Sequence, residues 1–302
     1  MPLKILVTGA SGFLGEQVCR HLSAIGHDVT GVGRQKSPPL PNMGWLQAGL
    51  LHPNASDALF QGRHFDRLIH LAWTVEHGKF WTDLNNLDWA AATLLLVRAA
   101  HRAGVEHVTV AGTCYEYDWP DGGDCVEEVT PVASHTLYDT AKDATHRALA
   151  AYARQTGLSL AWVRLFNLYG EGEHRDRLVA SVARSLAAGV PAHTSRGLPL
   201  RDFMDIRDAG QAVSCVAIAA KSGAVNIASG QPVRIADLVE RMGVLAGRPD
   251  LIRLGSLPDR PEPPRITAQI NRLLACGFSP TYSLDRGLSD ALEHWRNNLE
   301  VT

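Results

Sequence analysis

Three glycines near the N-terminus constrain the fold of this chain more than any other feature. Gly9, Gly12 and Gly15 follow a short apolar run at 3–8 and open a segment, 12–24, with apolar residues at helical spacing. In such a strand–turn–helix unit the first glycine permits a tight turn, the second lets backbone approach a pyrophosphate, and the third lets helix and strand pack closely. The helix N-terminus offers free N–H groups to phosphates. The turn predicts a dinucleotide site made by Gly9, Ser11, Gly12, Phe13, Leu14 and Gly15.

The rest of the first half alternates between strand and helix patterns. Strands are predicted at 28–32, 68–72, 108–111 and 160–165, and helices at 87–103 and 136–154. Nearly continuous apolar strands that alternate with helices indicate a parallel sheet covered on both faces. The predicted fold class is therefore α/β, with a Rossmann-type doubly wound parallel sheet.

Composition excludes several other classes of protein. The 302 residues carry 29 Lys and Arg against 31 Asp and Glu, a net charge of −2, which argues against nucleic acid or an anionic membrane as partner. The longest mostly apolar run, 89–97, is far short of the roughly 18 residues that suggest a membrane span. No signal-peptide core is visible, and the five cysteines form no CxxC pair. We expect no metal site, no membrane contact and a cytoplasmic location.

The end of the second strand bears on the choice of dinucleotide. An NAD-binding protein usually ends this strand with Asp or Glu, which bonds the ribose hydroxyls, whereas Gly33 stands there and Arg34 follows. A guanidinium suits a 2′-phosphate. Gly33 and Arg34 therefore favour NADP (NADPH) over NAD; the alternatives are NAD as cofactor and Arg34 as a solvated loop residue.

Three polar side chains are candidates for catalysis. Tyr138 and Lys142 are four residues apart and so lie on one face of a helix, where the ammonium could stabilise a phenolate. We expect this cation, together with an oxidised nicotinamide when one is present, to lower the Tyr138 pKa from about 10 toward working pH. Thr113 follows the strand 108–111 at the edge where open α/β sheets bind ligands, and its hydroxyl could position a substrate oxygen against Tyr138.

These motifs together resemble the extended short-chain dehydrogenase/reductase family, the NAD-dependent epimerase/dehydratase group acting on nucleotide sugars. The resemblance covers nearly the whole chain. It rests on the glycine turn at 8–15, IHLA at 69–72, Thr113 four residues before Tyr117, Tyr138 with Lys142, RLFNLYG at 164–170, RDF at 201–203 with Asp205, NIASG at 226–230, and Arg260-Pro261.

The resemblance implies roles for individual residues. Tyr138 would be the acid/base, Lys142 would bind the nicotinamide ribose, and Thr113 would hold the sugar oxygen. Asn167 would contact substrate, and Arg201 and Arg260 would contact the sugar nucleotide, through its diphosphate. The cofactor site would also include Leu71, Ala72 and Trp73 beside Gly33, Arg34, Tyr138 and Lys142.

The resemblance also implies a division into two domains and a homodimer. Residues 1–170 would bind the dinucleotide, with the chain returning there around 202–229, and 171–302 would mainly form a smaller C-terminal α/β substrate domain. The helix at 87–103 is apolar almost all round and needs partners on two sides. The second partner is either another element of this chain or a second copy, and the family implies a homodimer that pairs the helices 87–103 and 136–154.

Departures from the family pattern reduce the number of reactions that the resemblance implies. The 4,6-dehydratases carry Thr-Asp-Glu, whereas here Thr113 is followed by Cys114 and Tyr115. Glu116 comes one residue late, and in an extended segment it would point the opposite way, so dehydratase activity is disfavoured. Trp73 replaces the family's usual alanine, and it could stack on a sugar, narrow the site or pack in the core.

The leading hypothesis is an NADPH-dependent reductase acting on a nucleotide-diphospho-sugar, specifically a 4-keto-6-deoxy sugar. The alternative is a nucleotide-sugar 4-epimerase that retains NAD, since the same residues serve both reactions. A hypothesis of another class is a non-catalytic cofactor-sensing regulator. Such proteins often lose the Tyr/Lys pair, so the intact Thr113, Tyr138 and Lys142 count against it.

Overall fold

Three sheets and nine helices make up the part of the chain that the structure describes. The structure is a computed structural model and describes residues 2–36, 38, 40, 41, 43–119 and 122–298. The strands are β1 (Lys4–Thr8), β2 (Asp28–Gly33), β3 (Gly44–Gln47), β4 (Arg67–His70), β5 (His107–Thr113), β6 (Ser159–Leu165), β7 (Asn167–Tyr169), β8 (Ala192–His193), β9 (Leu200–Asp205), β10 (Gly223–Ile227), β11 (Pro232–Arg234), β12 (Ile252–Arg253) and β13 (Arg265–Ile266). The helices are α1 (Phe13–Ala24), α2 (Ala55–Phe60), α3 (Asn85–Arg102), α4 (Leu137–Thr156), α5 (Leu178–Ala187), α6 (Ile206–Ile218), α7 (Ile235–Leu245), α8 (Asn271–Leu274) and α9 (Leu284–Asn297), with 3-10 turns at Cys114–Glu116 and Pro249–Leu251.

The largest sheet has seven strands in the order β10-β6-β5-β4-β1-β2-β3. Every pairing in it is parallel. The chain runs outward from β1 to β3, then returns and runs the other way from β4, so the strand order reverses between β1 and β4. Open α/β sheets bind ligands outside the carboxyl ends of the strands at such a reversal. The predicted Rossmann-type, doubly wound fold is confirmed.

Both faces of this sheet are covered, because successive strand residues point to opposite sides. Ile5 and Val7 of β1 pack in one core with residues of α1 and α6, and Leu6 packs in a second core with residues of α3 and α4. Each strand is therefore apolar on both faces, which explains the continuous apolar runs in the sequence.

The two smaller sheets lie in the C-terminal half. In one sheet, three strands pair with β9: β11 is antiparallel to it, and β7 and β13 are parallel to it. In the other sheet, β8 pairs with β12. Helices α5, α7 and α9 share a third core around Val182, Leu238, Met242 and Leu288. The same half of the chain also returns to the largest sheet, because α6 covers it and β10 extends it. The assignment of cofactor binding to 1–170 and substrate binding to 171–302 stays a prediction.

The predicted element bounds differ from the observed ones by a few residues. The predicted strand 108–111 extends to Thr113, because Gly112 and Thr113 still pair with β6. Thr113 is therefore the last strand residue rather than a residue beyond it. The predicted strand 68–72 ends at His70. The Thr136 side chain caps α4, which starts at Leu137, and Gly157 (φ +78°) ends it in a left-handed conformation that glycine adopts readily.

Within the described residues, every helix is too short or too polar to span a bilayer. The same residues contain no group of three or more His, Cys, Asp or Glu side chains that could hold a metal ion.

Candidate active site

The glycine turn between β1 and α1 forms a backbone cradle. Gly9 has φ +71°, and a Cβ there would lie 2.8 Å from the backbone nitrogen of Ala72, so only glycine fits. A Cβ at Gly15 would overlap the Gly9 carbonyl oxygen, so helix and turn pack as closely as the sequence predicts. No side chain caps α1, whose N-cap is Gly12. The first N–H groups of the helix are therefore available to an anion, which fits the diphosphate of a dinucleotide.

The end of β2 is shaped by a residue that sequence reasoning missed. A Cβ at Gly33 would lie 2.6 Å from the indole of Trp45 and 3.3 Å from Ser11 Oγ. Trp45 Nε1 donates to the Gln35 carbonyl at 2.9 Å, which fixes the indole there. Any side chain at position 33 would collide with Trp45, so the absence of a carboxylate at this strand end has a packing cause. The signal available in the sequence was a glycine inside a strand.

Arg34 lies next to this strand end and is exposed. Its backbone carbonyl accepts a hydrogen bond from Gln47 Nε2 at 3.0 Å, which ties the segment after β2 to β3. Among the described residues, Arg34 makes no ion pair. The strand end carries no carboxylate, and the Arg34 guanidinium and the Ser11 hydroxyl lie near it. This arrangement fits a dinucleotide that carries an additional phosphate.

The segment after β4 contacts the glycine turn. The Leu71 N–H donates to the Thr8 carbonyl at 3.1 Å, and Ala72 meets Gly9 as described above. Trp73 is buried, and its Nε1 donates to Asn86 Oδ1 at 2.7 Å. Its ring centroid lies 3.8 Å from Lys142 Nζ. Of the three alternatives for Trp73, the structure therefore favours core packing, where the ring supports Lys142 rather than stacking on a sugar.

The three predicted catalytic residues come together at the carboxyl edge of the sheet. Lys142 Nζ donates to the Ala111 carbonyl of β5 at 2.8 Å and lies 5.9 Å from the Tyr138 ring centroid. The Thr113 side chain lies close enough to the Tyr138 phenol to lower its pKa. All three side chains are buried. Helix α4 positions the pair, because its first turn is fixed by a capping box between Thr136 and Asp139.

Burial dominates the electrostatics of Tyr138 and Lys142. Burial, and then the charge of Glu116, raise the Tyr138 pKa, and the neighbouring Thr113 side chain opposes them. Burial lowers the Lys142 pKa to about 7, opposed by Glu116. In the protein without a dinucleotide, burial sets the direction of the Tyr138 pKa, and the lowering expected from Lys142 together with an oxidised nicotinamide stays a prediction. Tyr138 therefore rests in its protonated form.

Glu116 occupies a place that the sequence did not predict. Residues 114–116 form a 3-10 turn rather than an extended segment, so alternation of side chains does not apply. The Glu116 carboxylate is fully buried and accepts from the Thr113 N–H at 2.8 Å, from Trp162 Nε1 at 3.0 Å and from Arg164 Nε at 2.8 Å. The carboxylate is thus committed to groups within the protein, and Glu116 holds the end of β5 in place.

Aromatic rings surround Tyr138. Its ring meets Phe80 edge-on at 4.8 Å between centroids and Trp81 at 5.8 Å, and Trp81 meets Tyr115 at 4.7 Å. We call Phe80, Trp81 and Tyr115 the aromatic wall. Asn86 fixes the segment that carries two of its members, because Asn86 Nδ2 donates to the carbonyl of Phe80 at 2.7 Å. The adjacent Phe80 and Trp81 between β4 and α3 were the sequence signal for this feature.

The residues predicted to contact substrate are partly engaged within the protein. Asn167 Nδ2 donates to the Asp202 carbonyl at 3.2 Å. Arg201 is buried, and its guanidinium pairs with Glu262 at 2.5 Å, an acid that sequence reasoning missed. Arg201 lies close enough to Tyr115 to influence the phenol pKa, so it borders the aromatic wall. Arg260 is exposed and makes no ion pair within the described part of the chain.

Known proteins resemble this chain in sequence. Residues 5–228 match the model of the NAD dependent epimerase/dehydratase family. The chain is 25% identical, over 248 residues, to the dTDP-6-deoxy-L-talose 4-dehydrogenase (NAD(+)) of Aggregatibacter actinomycetemcomitans, covering 79% of this chain and 88% of that protein. It is 28% identical, over 302 residues, to the dTDP-6-deoxy-L-talose 4-dehydrogenase (NAD(P)(+)) of Kitasatospora kifunensis, covering 94% and 92%.

The fold recurs in a solved structure. The UDP-glucose 4-epimerase of Thermus thermophilus, in complex with NAD, matches with a TM-score of 0.86 over 97% of this chain and 99% of its own, at 21% identity. At that identity the match establishes the shared fold. The family model covers most of the chain and includes the glycine turn, Thr113, Tyr138 and Lys142. The chain therefore belongs to the NAD dependent epimerase/dehydratase family, the extended short-chain dehydrogenase/reductases, and is an enzyme, as its motifs predict.

Proposed function

We propose that this enzyme uses NADPH to reduce the keto group of a nucleotide-diphospho-sugar, specifically a 4-keto-6-deoxy sugar. The observation that carries the proposal is the grouping of Thr113, Tyr138 and Lys142 beside the glycine turn, at the point where the strand order reverses. A phenol, an ammonium and a hydroxyl in this arrangement suit proton transfer to a carbonyl oxygen.

The protonation states favour the direction of reduction. A reduced nicotinamide, when bound, supplies a hydride to the keto carbon. Tyr138 holds its proton in the resting site, because burial raises its pKa, and it donates that proton to the keto oxygen. Thr113 holds the same oxygen by a hydrogen bond. Lys142, four residues from Tyr138 on α4, stabilises the phenolate that remains and binds a ribose hydroxyl.

The aromatic wall supports a deoxy sugar as substrate. Phe80 and Trp81 offer apolar surface beside Tyr138. A methyl group fits such a surface, whereas a hydroxymethyl group would lose hydrogen bonds there. Two relatives are named as 4-dehydrogenases of dTDP-6-deoxy-L-talose. A 4-dehydrogenase working in reverse reduces the 4-keto group of the same kind of sugar nucleotide.

The end of β2 supports NADPH as the cofactor. Trp45 excludes a side chain at Gly33, so no carboxylate repels a 2′-phosphate there, and Arg34 and Ser11 offer donors to it. One relative is named with NAD(+) and the other with NAD(P)(+), so relatives of this chain differ in this choice.

The neighbours of Thr113 count against dehydration. Burial raises the pKa of the Cys114 thiol and of the Tyr115 phenol, so neither ionises readily near neutral pH. Glu116 is committed to Arg164 and Trp162. The residues after Thr113 therefore offer no acid/base pair for elimination of water.

We also propose that the enzyme is a homodimer. The outward side of α3 carries Leu87 and Leu95, which are 60% and 53% exposed, with Ala91 between them at helical spacing. The neighbouring α4 carries Ala144, Ala148 and Ala151 at helical spacing. Small residues permit close helix approach and the leucines supply apolar area, so a second copy of α3 and α4 fits this surface.

The deciding experiment mixes purified enzyme and NADPH with a panel of nucleotide 4-keto-6-deoxy sugars. Loss of absorbance from the reduced cofactor, with formation of the 4-hydroxy product, supports the reductase. Tightly held NAD and interconversion of sugar epimers without net cofactor consumption would identify the epimerase instead. If cofactor binds and no sugar nucleotide reacts, while the Tyr138→Phe variant keeps its biological activity, the protein is a cofactor sensor.

A further inference from the structure

The indole of Trp73 lies against the ammonium of Lys142. Lys142 Nζ is 3.8 Å from the centroid of the Trp73 ring, and the two residues are only 9% and 3% exposed, Trp73 being the former. A cation within about 6 Å of an aromatic face is attracted by the ring, most strongly by tryptophan and where water is excluded. The contact therefore acts on the charge of Lys142 as well as on its packing.

A hydrogen bond and a neighbouring ring fix the orientation of this indole. Trp73 Nε1 donates to Asn86 Oδ1 at 2.7 Å, and Asn86 is itself held because its Nδ2 donates to the Phe80 carbonyl at 2.7 Å. The centroid of the Trp89 ring lies 6.2 Å from that of Trp73, with 26° between the planes. A buried polar network whose members are satisfied is rigid, so the face that meets the ammonium is held in one orientation.

The Lys142 ammonium has no acid of its own within the described part of the chain. Among those residues it makes no ion pair, and its hydrogen bond within the protein goes to the Ala111 carbonyl at 2.8 Å. The acid whose charge acts on it, Glu116, already pairs with Arg164 at 2.8 Å. A charge buried this deeply needs partners to remain charged.

His70 of β4 lies close enough to Lys142 for their charges to repel, and it stays neutral. Its Nδ1 is hydrogen-bonded to Thr8 at 2.6 Å and its Nε2 to Thr93 at 2.9 Å. Thr93 Oγ1 donates its proton to the Trp89 carbonyl at 2.8 Å, so it accepts from Nε2, and Nδ1 accepts from Thr8. Burial lowers the His70 pKa to about 3. His70 therefore adds no charge beside the ammonium.

The acids next to Lys142 on α4 itself have other partners. Asp139 closes the capping box at the start of the helix, and Asp143 pairs with Arg147 at 2.8 Å. The Tyr138 phenol stays protonated, because burial raises its pKa. Among the described residues, the carbonyl of β5 and the indole face therefore remain as the groups that stabilise the ammonium.

We propose that Trp73 is a positioning residue for Lys142: its ring face keeps this side chain in the ammonium form and, together with the Ala111 carbonyl, sets its direction. An ammonium has three N–H donors. The carbonyl and the ring face occupy two sides of it, which leaves a donor for the ribose hydroxyl of the cofactor. The catalytic consequence rests on the proposed function, in which Lys142 stabilises the Tyr138 phenolate, whereas the position and charge of Lys142 do not.

The indole opposes the effect of burial on Lys142. Burial lowers the pKa of the amine to about 7, and the charge of Glu116 raises it. A ring face attracts the ammonium and not the neutral amine, so it also raises this pKa. Without the face, Lys142 should lose its proton at a pH lower by roughly one unit, as expected for a cation–π contact shielded from water.

Nuclear magnetic resonance of the lysine side chains tests the proposal without substrate. The chain has five lysines, so carbon-13 labelling of lysine gives few signals, and Lys142→Arg identifies the one that belongs to Lys142. Protons above the face of an aromatic ring resonate at lower frequency. In the wild type we expect the Hε signals of Lys142 to be displaced in this direction, and its Cε signal to titrate well below the ordinary lysine pKa of about 10.4.

Trp73→Phe and Trp73→Leu form a matched pair of variants. Both lose the N–H that bonds Asn86 and both stay apolar, but only phenylalanine keeps a ring face. The Lys142 titration should lie roughly one pH unit lower with leucine than with phenylalanine, and the displacement of the Hε signals should persist with phenylalanine alone. A role confined to packing predicts equal titrations. Trp73→Met takes the place of the leucine variant if that variant does not fold.

The pH profile of activity gives a second readout. For a keto sugar that the enzyme reduces, kcat/KM should fall as pH rises through the Lys142 pKa, and at lower pH with leucine than with phenylalanine. Equal or reversed titrations in the two variants, or wild-type Hε signals without displacement, overturn the inference while the proposed function stands. If no 4-keto sugar reacts, the proposed function falls, and the resonance titration still decides the role of Trp73.

Discussion

The buried ion pair between Glu116 and Arg164 allows a quantitative test of how the end of β5 is held. Their side chains are 0% and 4% exposed, and Arg164 Nε donates to Glu116 Oε2 at 2.8 Å. Glu116→Gln preserves the shape and leaves a guanidinium uncompensated in the core. Breaking a buried pair costs about 3–5 kcal/mol of unfolding free energy. We expect a loss at the lower end of that range, because the amide oxygen still accepts from Thr113 and Trp162.

The same substitution also affects catalysis through charge. Glu116 raises the pKa of both Tyr138 and Lys142, so its removal lowers both. Lys142 has a pKa of about 7 and must be an ammonium to stabilise the phenolate. kcat/KM reports ionisations of the free enzyme and should fall as pH rises through the Lys142 pKa. In the variant this fall should move to lower pH.

Urea denaturation measures the first effect and a pH profile of kcat/KM the second. The matched control is Glu106→Gln, whose carboxylate also bonds a strand arginine, Arg67, at 2.9 Å but is 73% exposed. That exposed pair should contribute less than about 1 kcal/mol, and its loss should leave the pH profile in place. The reasoning fails if Glu116→Gln costs no more than the control, or if the alkaline fall moves to higher pH.

Three further predictions concern the reacting phenol, the cofactor and the dimer. Tyr138→Phe should lower kcat by about 10²- to 10⁴-fold, the usual contribution of a positioned acid, while fluorescence titration shows unchanged cofactor affinity. Arg34→Ala should lower kcat/KM for NADPH by roughly 10-fold and leave that for NADH unchanged; an equal loss with both cofactors would contradict the 2′-phosphate assignment. Leu87→Asp or Leu95→Asp should convert the dimer to a monomer, because each introduces a charge into the proposed interface. Light scattering measures the change, and a wild-type protein that is monomeric at working concentration would contradict the proposed dimer.

Features carried by local sequence could be predicted. The spacing of Gly9, Gly12 and Gly15 is set by one turn of backbone, and the spacing of Tyr138 and Lys142 by one turn of helix, so each pattern is visible without knowing the fold. The alternation of strands and helices likewise follows from residues close in sequence. These local patterns were therefore enough to predict both the fold and the three central side chains.

Features that join distant residues could not be predicted. Trp45 covers Gly33 only because β3 pairs with β2 in a particular register. Glu116 meets Arg164, 48 positions away, because a short 3-10 turn redirects the chain after β5. The sequence analysis considered only an extended segment there, whereas the spacing of Thr113 and Glu116, which form a capping box, was the available signal for the turn. The burial of individual side chains could not be predicted from the sequence either, and burial decides the pKa values of Tyr138 and Lys142.

Burial shifts the pKa values of Tyr138 and Lys142 in opposite directions, and this difference favours one direction of proton transfer. Loss of hydration stabilises the neutral forms of both, so Tyr138 keeps its proton while the Lys142 ammonium is weakened to a pKa of about 7. Once Tyr138 gives its proton to a substrate oxygen, a phenolate forms beside that ammonium in a region of low dielectric, where opposite charges attract strongly. The phenolate in turn holds the proton on Lys142. Before the transfer the Lys142 ammonium faces a neutral phenol, and it faces a phenolate only once the reaction proceeds; such stabilisation speeds a reaction because it is absent from the ground state.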